Sequence, residues 1–517
     1  MGLALIAKWK NLKSTYKLAF LSTMLIGLLV HFYKFTNTLL NHDSLYHFYT
    51  PQNMTASGRW FLSTACGISS YYDLPWVNGI LSLFYIALTA VILVALFRIV
   101  NPIVILLTAG LLVTFPGTTE TLFFNFTADG FFLAMLLAAF GAYLIRIKDT
   151  PTKWQECLLS AICLCLSCGI YQAYVSFALI LSLCHLVYEL LENRHSDKAY
   201  LHWIRRQVLT YSAAMIAYFL IWKLCLHVQG IVPNDYQGIS QVASFHLDSP
   251  VQGLMNAVKF FILFFVQWNV LEHGFTLYSI LHILFLIVMV LGILYAVIRT
   301  RLYKRKLHLV LFCLAAVALV PFSCIWCIIS TTVNYRPMML LCFVLLFILT
   351  AIVYDRWFKP KWSNLAGLLL TLIILHNGLL ANISYYNMHL CNERTYAESV
   401  QLMTRINHYT SEYDIAQIAI MGNRRLDVQL LFWNEDTKSQ TRNAATHILA
   451  TGLETTLLFD EPHTMFYLQN IHGLDIPFDT ETDYSQYPAV QSMECWPSES
   501  SFLVIDNTLI IKIGPTP

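Results

Sequence analysis

The sequence predicts a polytopic α-helical membrane protein: a bundle of about 11 transmembrane helices followed by a small α/β extracytoplasmic domain. Three observations lead there. Apolar residues fill 57% of 517 positions, and the mean hydropathy is +0.58. Charged residues make up 12%, about half the share in an average soluble domain. Lysine and arginine gather in alternate loops, the signature of a chain threaded back and forth through a bilayer. A net charge of +2 gives no support for nucleic-acid binding.

Crossing a bilayer core takes roughly 20 apolar residues. Runs of that kind place spans near 17–39, 75–98, 101–116, 122–145, 154–170, 172–191, 207–228, 272–298, 307–330, 337–357 and 362–384. The third and fifth are short, so each is tilted, partly re-entrant or wrongly split from a neighbour. The first run is too long for a cleavable signal, and Phe32-Tyr33-Lys34-Phe35 offers no small-residue cleavage site. It reads as an anchor.

Lys8, Lys10, Lys13 and Lys17 precede or open the first span. The other basic groups follow even-numbered spans: Arg98; Arg146, Lys148 and Lys153; Arg194, Lys198, Arg205 and Arg206; Arg299 to Lys306; Arg356, Lys359 and Lys361. All fall on one side, which the positive-inside rule makes cytoplasmic. The expected topology is a multi-pass membrane protein, N-terminus inside and C-terminal domain outside.

Apart from two tight turns, four segments then face outward. They are the first loop at 40–74, the short loop Pro116-Gly117-Thr118-Thr119-Glu120, a longer loop at 229–271, and everything after about residue 386. The third holds an apolar stretch, Phe260 to Trp268, which reads as a helix lying at the interface; the alternative is an extra span. Composition changes near residue 388, which divides the chain into a transmembrane part, 1–385, and an extracytoplasmic α/β part, 386–517. In the latter, Met388 to Tyr409 predicts an amphipathic helix and Ile415 to Met421 a buried strand. Phe502–Ile505 and Leu509–Ile513 flank Asp506-Asn507, which predicts a hairpin.

Most of the thirteen cysteines lie within spans, where Cys behaves as a small hydrophobe. Cys324 and Cys327 form a CxxC, but no second pair or suitable His pair accompanies it, so a core role is expected. Cys391 and Cys495 are external and could pair in an oxidising compartment.

The candidate site residues lie on the side poor in lysine and arginine. Asp43, in Asn41-His42-Asp43-Ser44, is the first acid of the chain and sits just past the first span. A carboxylate at the mouth of a bundle can serve as a base for a membrane-borne substrate; it can equally be a solvated loop acid. His42 and His47 flank it without matching a metal-ligand spacing. Arg59, in Gly58-Arg59-Trp60, is a rare outer cation that could hold phosphate, touch lipid headgroups, or pair with Asp43 or Asp73. Glu120 could share the mouth with Asp43, or be a plain loop acid. Asp129 and Lys223 are ionisable groups within spans, where each either faces a polar cavity as part of a substrate site or pairs structurally with the other. Tyr171 and Gln172 mark an outer turn, either binding sugar hydroxyls or anchoring helix ends. Arg336 precedes Pro337, which suits the first turn of a helix, so it should sit where backbone donors already favour anions. A phosphate site is the natural inference, against a loop cation touching headgroups. No P-loop or Gly-rich phosphate cradle appears, which argues against a nucleotide donor.

In these residues the chain resembles the type-II (GtrII-like) O-antigen glucosyltransferases of the GT-C superfamily. The resemblance rests on Asn41-His42-Asp43 followed by Gly58-Arg59-Trp60, on Tyr171-Gln172, on Arg336-Pro337 and on the order of spans, and it covers roughly 1–385. It implies a GT-C-like bundle and a donor such as undecaprenyl-phosphate-glucose. It implies a surface polysaccharide as acceptor, and a lipid bilayer as the setting. Asp43 would be the general base of an inverting displacement, with Arg336, then Arg59, at the departing phosphate. Many GT-C enzymes present two acids in the first loop, some with a divalent metal. Here the immediate neighbours of Asp43 are His and Ser, so no metal and no other cofactor is expected. Competing readings are a lipid-linked sugar flippase, and a GT-C transferase acting on lipid A or protein.

Overall fold

The computed structural model describes residues 11–48, 52–148, 152–234, 249–266, 276–330, 333, 335–424 and 456–515. Helices of eight residues or more are labelled in chain order. They are α1 (Ser14–Thr36), α2 (Pro75–Leu96), α3 (Pro102–Thr114), α4 (Pro116–Phe123), α5 (Asn125–Leu144), α6 (Trp154–Ile170), α7 (Tyr174–Glu192) and α8 (Asp197–Gln229). Then come α9 (Pro250–Val266), α10 (Leu277–Arg299), α11 (Lys306–Ser323), α12 (Val344–Trp357), α13 (Pro360–Glu412) and α14 (Glu461–His472). The strands are β1 (Gln417–Met421), β2 (Phe502–Ile505) and β3 (Thr508–Lys512).

Among the described residues, nine helices are long and apolar enough to cross a membrane, or ten if α3 and α4 count as one bent span. That is fewer than the 11 expected. The difference lies in the two short runs. α3 and α4 meet at an angle of 40°, because Pro116 forces Phe115 into an extended conformation at φ −57°, ψ 139°. α6 is a helix of 17 residues, somewhat short for a full crossing. The segment 116–120, expected as an outer loop, is the first part of α4 and is wholly buried.

The outside of the bundle is apolar. Leu21, Leu25, Leu29 and Phe32 are exposed along α1, and Leu365, Leu368, Leu372, Leu375 and Leu379 along α13. Intervals of three and four make each set one stripe. An exposed leucine face on many helices suits hydrocarbon, not water. The polar residues point inward instead, as the buried Asn78, Thr89, Thr108 and Thr114 do. α7 and the stretch Pro337–Trp357 are buried on nearly every side and form the centre of the bundle.

α13 is 53 residues long, about 80 Å at the rise of an α-helix. The predicted last span and the predicted amphipathic helix are parts of this one helix, and residues 385 and 386 lie within it. No Gly or Pro occurs between Leu379 and Glu412 to break it. Its far end supplies Leu402 and Ile406 to a second core with Ile418, Leu468, Leu509 and Ile511. The sheet there has the order β1-β3-β2, with β1 parallel and β2 antiparallel to β3. The predicted hairpin forms at Asp506 and Asn507, whose φ values of 45° and 60° suit a two-residue turn. α9 packs against α10, α11 and the short helix Ile325–Ile329. It contains most of the apolar stretch expected at the interface; Val266 is its last residue, and Gln267 and Trp268 lie outside the described residues. Cys324 and Cys327 are buried thiols, as a core role requires, and no disulfide joins Cys391 to Cys495.

Candidate active site

One cavity of ≈ 280 Å³ opens where the first loop, the α6–α7 turn and the start of the Pro337 helix meet. Asp43, Arg59, Tyr171 and Arg336 all line it. Four candidates far apart in sequence thus converge on one space, just under the roughly 300–1,000 Å³ usual for small-molecule sites.

Asp43 stands on a 3₁₀ helix, His42–Tyr46. Asn41 caps that helix: its Oδ1 accepts from the Ser44 N–H at 2.9 Å, and its own N–H donates to Ser44 Oγ at 3.3 Å. The Asn41 amide also donates to the Phe123 carbonyl at 2.9 Å, mooring the turn to the end of α4. The Asp43 side chain is 46% exposed, with His42 Nε2 at 3.6 Å. His42 itself turns toward the C-terminal part, where the His463 ring lies 6.1 Å away, and does not line the cavity. Tyr46 packs on Phe466 of α14 at 5.0 Å, so the C-terminal part rests on the turn that carries Asp43.

Arg59 is placed by a set of suspensions. Residues 54–60 turn through a 3₁₀ helix, Thr55–Ser57, and Gly58 at φ 80°. Trp222 Nε1 donates to the Thr55 carbonyl at 2.8 Å, Gln172 Nε2 to the Ser57 carbonyl at 2.7 Å, and the Tyr218 hydroxyl to the Gly58 carbonyl at 3.1 Å. The Arg59 guanidinium then lies 4.6 Å from the centre of the Tyr171 ring, which stacks on Phe131. Arg59 Nε is buried and has no hydrogen-bond partner among the described residues, so donor capacity is left for a ligand.

Arg336 caps the 3₁₀ helix Pro337–Phe343 that runs on into α12, as the Arg-Pro pair predicts. Glu120 does not line the cavity. Its Oε2 accepts from the Met338 N–H at 2.7 Å, which fixes the start of the helix behind Arg336. Gln172 likewise serves the first loop and is not among the cavity-lining residues. The suggested Asp129–Lys223 pair does not form. Asp129 is buried on α5, and its carboxylate has no ion-pair partner among the described residues. Lys223 is exposed on α8, its ammonium 5.4 Å from the Phe219 ring. One is buried inside the bundle and the other exposed on its surface, which spacing in separate spans could not reveal.

The cavity also holds residues that the sequence did not single out. Gln52 is 1% exposed, yet both ends of its amide lack a partner. His47 lies against the Phe126 ring at 4.8 Å. Burial lowers the pKa of His47 below the usual histidine value, with the Asp43 charge opposing the shift. A glutamine in a polar loop carries no sequence signal; only its orphaned amide marks it. Asn234, from the segment after α8, also lines the cavity. Among the described residues no group of three or more His, Cys, Asp or Glu side chains is arranged to hold a metal ion.

Residues 32–348 match the family model for glucosyl transferase GtrII. The chain belongs to that family. The matched region is well over half of this GtrII chain and contains every candidate residue from His42 to Arg336. It stops within α12, so α13 and the C-terminal sheet lie beyond it. Searches of curated proteins and of solved structures gave no match. The family and the apolar helices together make this a membrane glycosyltransferase.

Proposed function

We propose that this GtrII-family chain moves a hexose, glucose in keeping with the family, from a polyprenyl-phosphate carrier to a hydroxyl of a surface polysaccharide. In a bacterium the carrier would be undecaprenyl phosphate, the acceptor an O-antigen-like glycan, and the site the periplasmic face of the inner membrane. One observation carries the reading: a carboxylate, Asp43, and two arginines, Arg59 and Arg336, line one cavity of a lipid-facing bundle. A base for the acceptor and cations for the departing phosphate are the two needs of this transfer.

In the proposed step, Asp43 takes the acceptor hydroxyl proton as that oxygen attacks the anomeric carbon. The new C–O bond forms while the bond to the phosphate oxygen breaks, and its electron pair leaves with the polyprenyl phosphate. A single displacement inverts the anomeric carbon, and no covalent enzyme intermediate is needed. Asp43 is exposed enough to hand the proton to water. Positioned proton transfer contributes about 10²–10⁴-fold. Arg336 meets the leaving phosphate from a helix start, and Arg59 from above Tyr171; the planar fork suits phosphate oxygens. With two guanidinium groups available, the step needs no divalent cation.

Purified protein supplied with polyprenyl-phosphate-glucose and a candidate glycan tests the reading by comparing wild type with Asp43→Asn. Expected is transfer by the wild type with inversion, and loss of about 10²-fold or more in a folded variant. Equal transfer by the variant would remove Asp43 as base. Transport of lipid-linked sugar without transfer would favour a flippase instead.

A further inference from the structure

A second cavity, of ≈ 360 Å³, lies between α6 and α8 at the other end of the bundle. Its α8 residues run from His202 to Ala213, and Arg205 lies seventeen positions before Trp222, so the basic part of the cavity sits about 25 Å along the helix from the first-loop suspension. It is therefore separate from the candidate active site, and a ligand bound there is independent of the proposed function.

The polar wall is basic. His202, Arg205 and Arg206 come from α8, and Thr152 precedes α6. Among the described residues no carboxylate lines the cavity. The nearby Glu156 is already held by Lys148 at 2.7 Å. Arg206 Nη2 donates to the carbonyls of Ile145 and Arg146 at 3.1 and 3.0 Å, which fixes the guanidinium in place. Its Nε remains buried without a partner, as does Thr152 Oγ1. Positive charge and unused donors therefore face one small space.

The other wall is apolar and open. Leu158 and Leu209 line the cavity and are 51% and 62% exposed. Below them Ile162 on α6 and Ile216 on α8 continue the exposed apolar surface toward the middle of the bundle. A basic recess above an apolar flank matches an amphiphile with an anionic head. A soluble anion would leave the flank unexplained, and a neutral lipid would leave the arginines without a counter-charge.

We propose that this recess is a binding site for an anionic glycerophospholipid of the leaflet on the Lys/Arg-rich side. The phosphate lies against Arg205, Arg206 and Thr152, and the acyl chains lie along Leu158 and Leu209. Such a lipid would tie α6, a helix of only 17 residues, to α8 at the membrane surface.

The test uses full-length protein in neutral detergent, with native mass spectrometry after exposure to phosphatidylglycerol or phosphatidylcholine. Wild type should retain phosphatidylglycerol in preference. Arg205→Gln and His202→Gln alter exposed side chains, and each should weaken that retention by about fivefold. Arg205→Lys should keep most of it, and Lys304→Gln, an exposed change elsewhere on the same rim, should leave it unchanged. Equal retention of the two lipids would overturn the proposal. So would an equal loss in Lys304→Gln, which would reduce the effect to general surface charge. Displacement of phosphatidylglycerol by millimolar inorganic phosphate would also overturn it, since the recess would then be a site for free anions.

Discussion

Glu120 Oε2 accepts a hydrogen bond from the backbone N–H of Met338 at 2.7 Å, two residues beyond Arg336. The acid thus holds the start of the helix that presents the proposed phosphate ligand. Gly117, one turn earlier on α4, permits the approach: a Cβ there would meet the Pro337 carbonyl oxygen at 2.6 Å. A carboxylate expected beside Asp43 at the mouth instead acts from behind, on the position of an arginine.

Arg336→Lys should lower the rate of transfer by about 10²-fold while leaving the melting temperature nearly unchanged. Lysine keeps the charge but cannot bond two phosphate oxygens in a planar fork. Arg336 is half-buried at the cavity and holds no part of the core. Steady-state kinetics beside thermal unfolding in detergent would decide; unchanged transfer would remove Arg336 from the mechanism.

Gln52→Leu separates a binding role from a structural one. Among the described residues the amide has no partner, so an apolar replacement of similar size should leave stability equal or raised. If Gln52 reads a substrate hydroxyl, KM should rise by about tenfold or more. A fall in stability with unchanged KM would make it a plain packing residue.

Gly58→Ala should destabilise the protein by about 1–3 kcal/mol and reduce transfer through Arg59. Gly58 sits at φ 80°, and an added Cβ would collide with the Gln172 amide and lie near the Tyr218 hydroxyl. Both groups support the loop that carries Arg59. The expected signature is a lowered melting temperature together with a loss of turnover.

Chelation should leave the purified enzyme active. The proposed positive charge at the leaving group comes from Arg59 and Arg336. Loss of transfer in EDTA, restored by magnesium or manganese, would require a metal-assisted step.

The sequence by itself determined the class of molecule, because hydrophobic length and loop charge answer directly to the bilayer. It also determined the position of Arg336 at a helix start, since proline acts on its immediate neighbours, and the hairpin at Asp506-Asn507, which is local turn chemistry. Its pairing of Tyr171 with Gln172 was half legible. Both lie at the turn, but one faces the cavity and the other holds the first loop. Only the tertiary structure decided which polar residues share a space. Asp43 and Arg59 come from two turns of the first loop, Tyr171 from the α6–α7 turn and Arg336 from the start of a later helix. Which face of a helix a residue occupies against distant partners is not written in its own neighbourhood. For the same reason Asp129 and Lys223 looked like partners and are not, while Gln52 looked ordinary and is buried with an idle amide. The span count fell between the two cases, because the bend at Phe115 is local but its burial against the Pro337 helix is not.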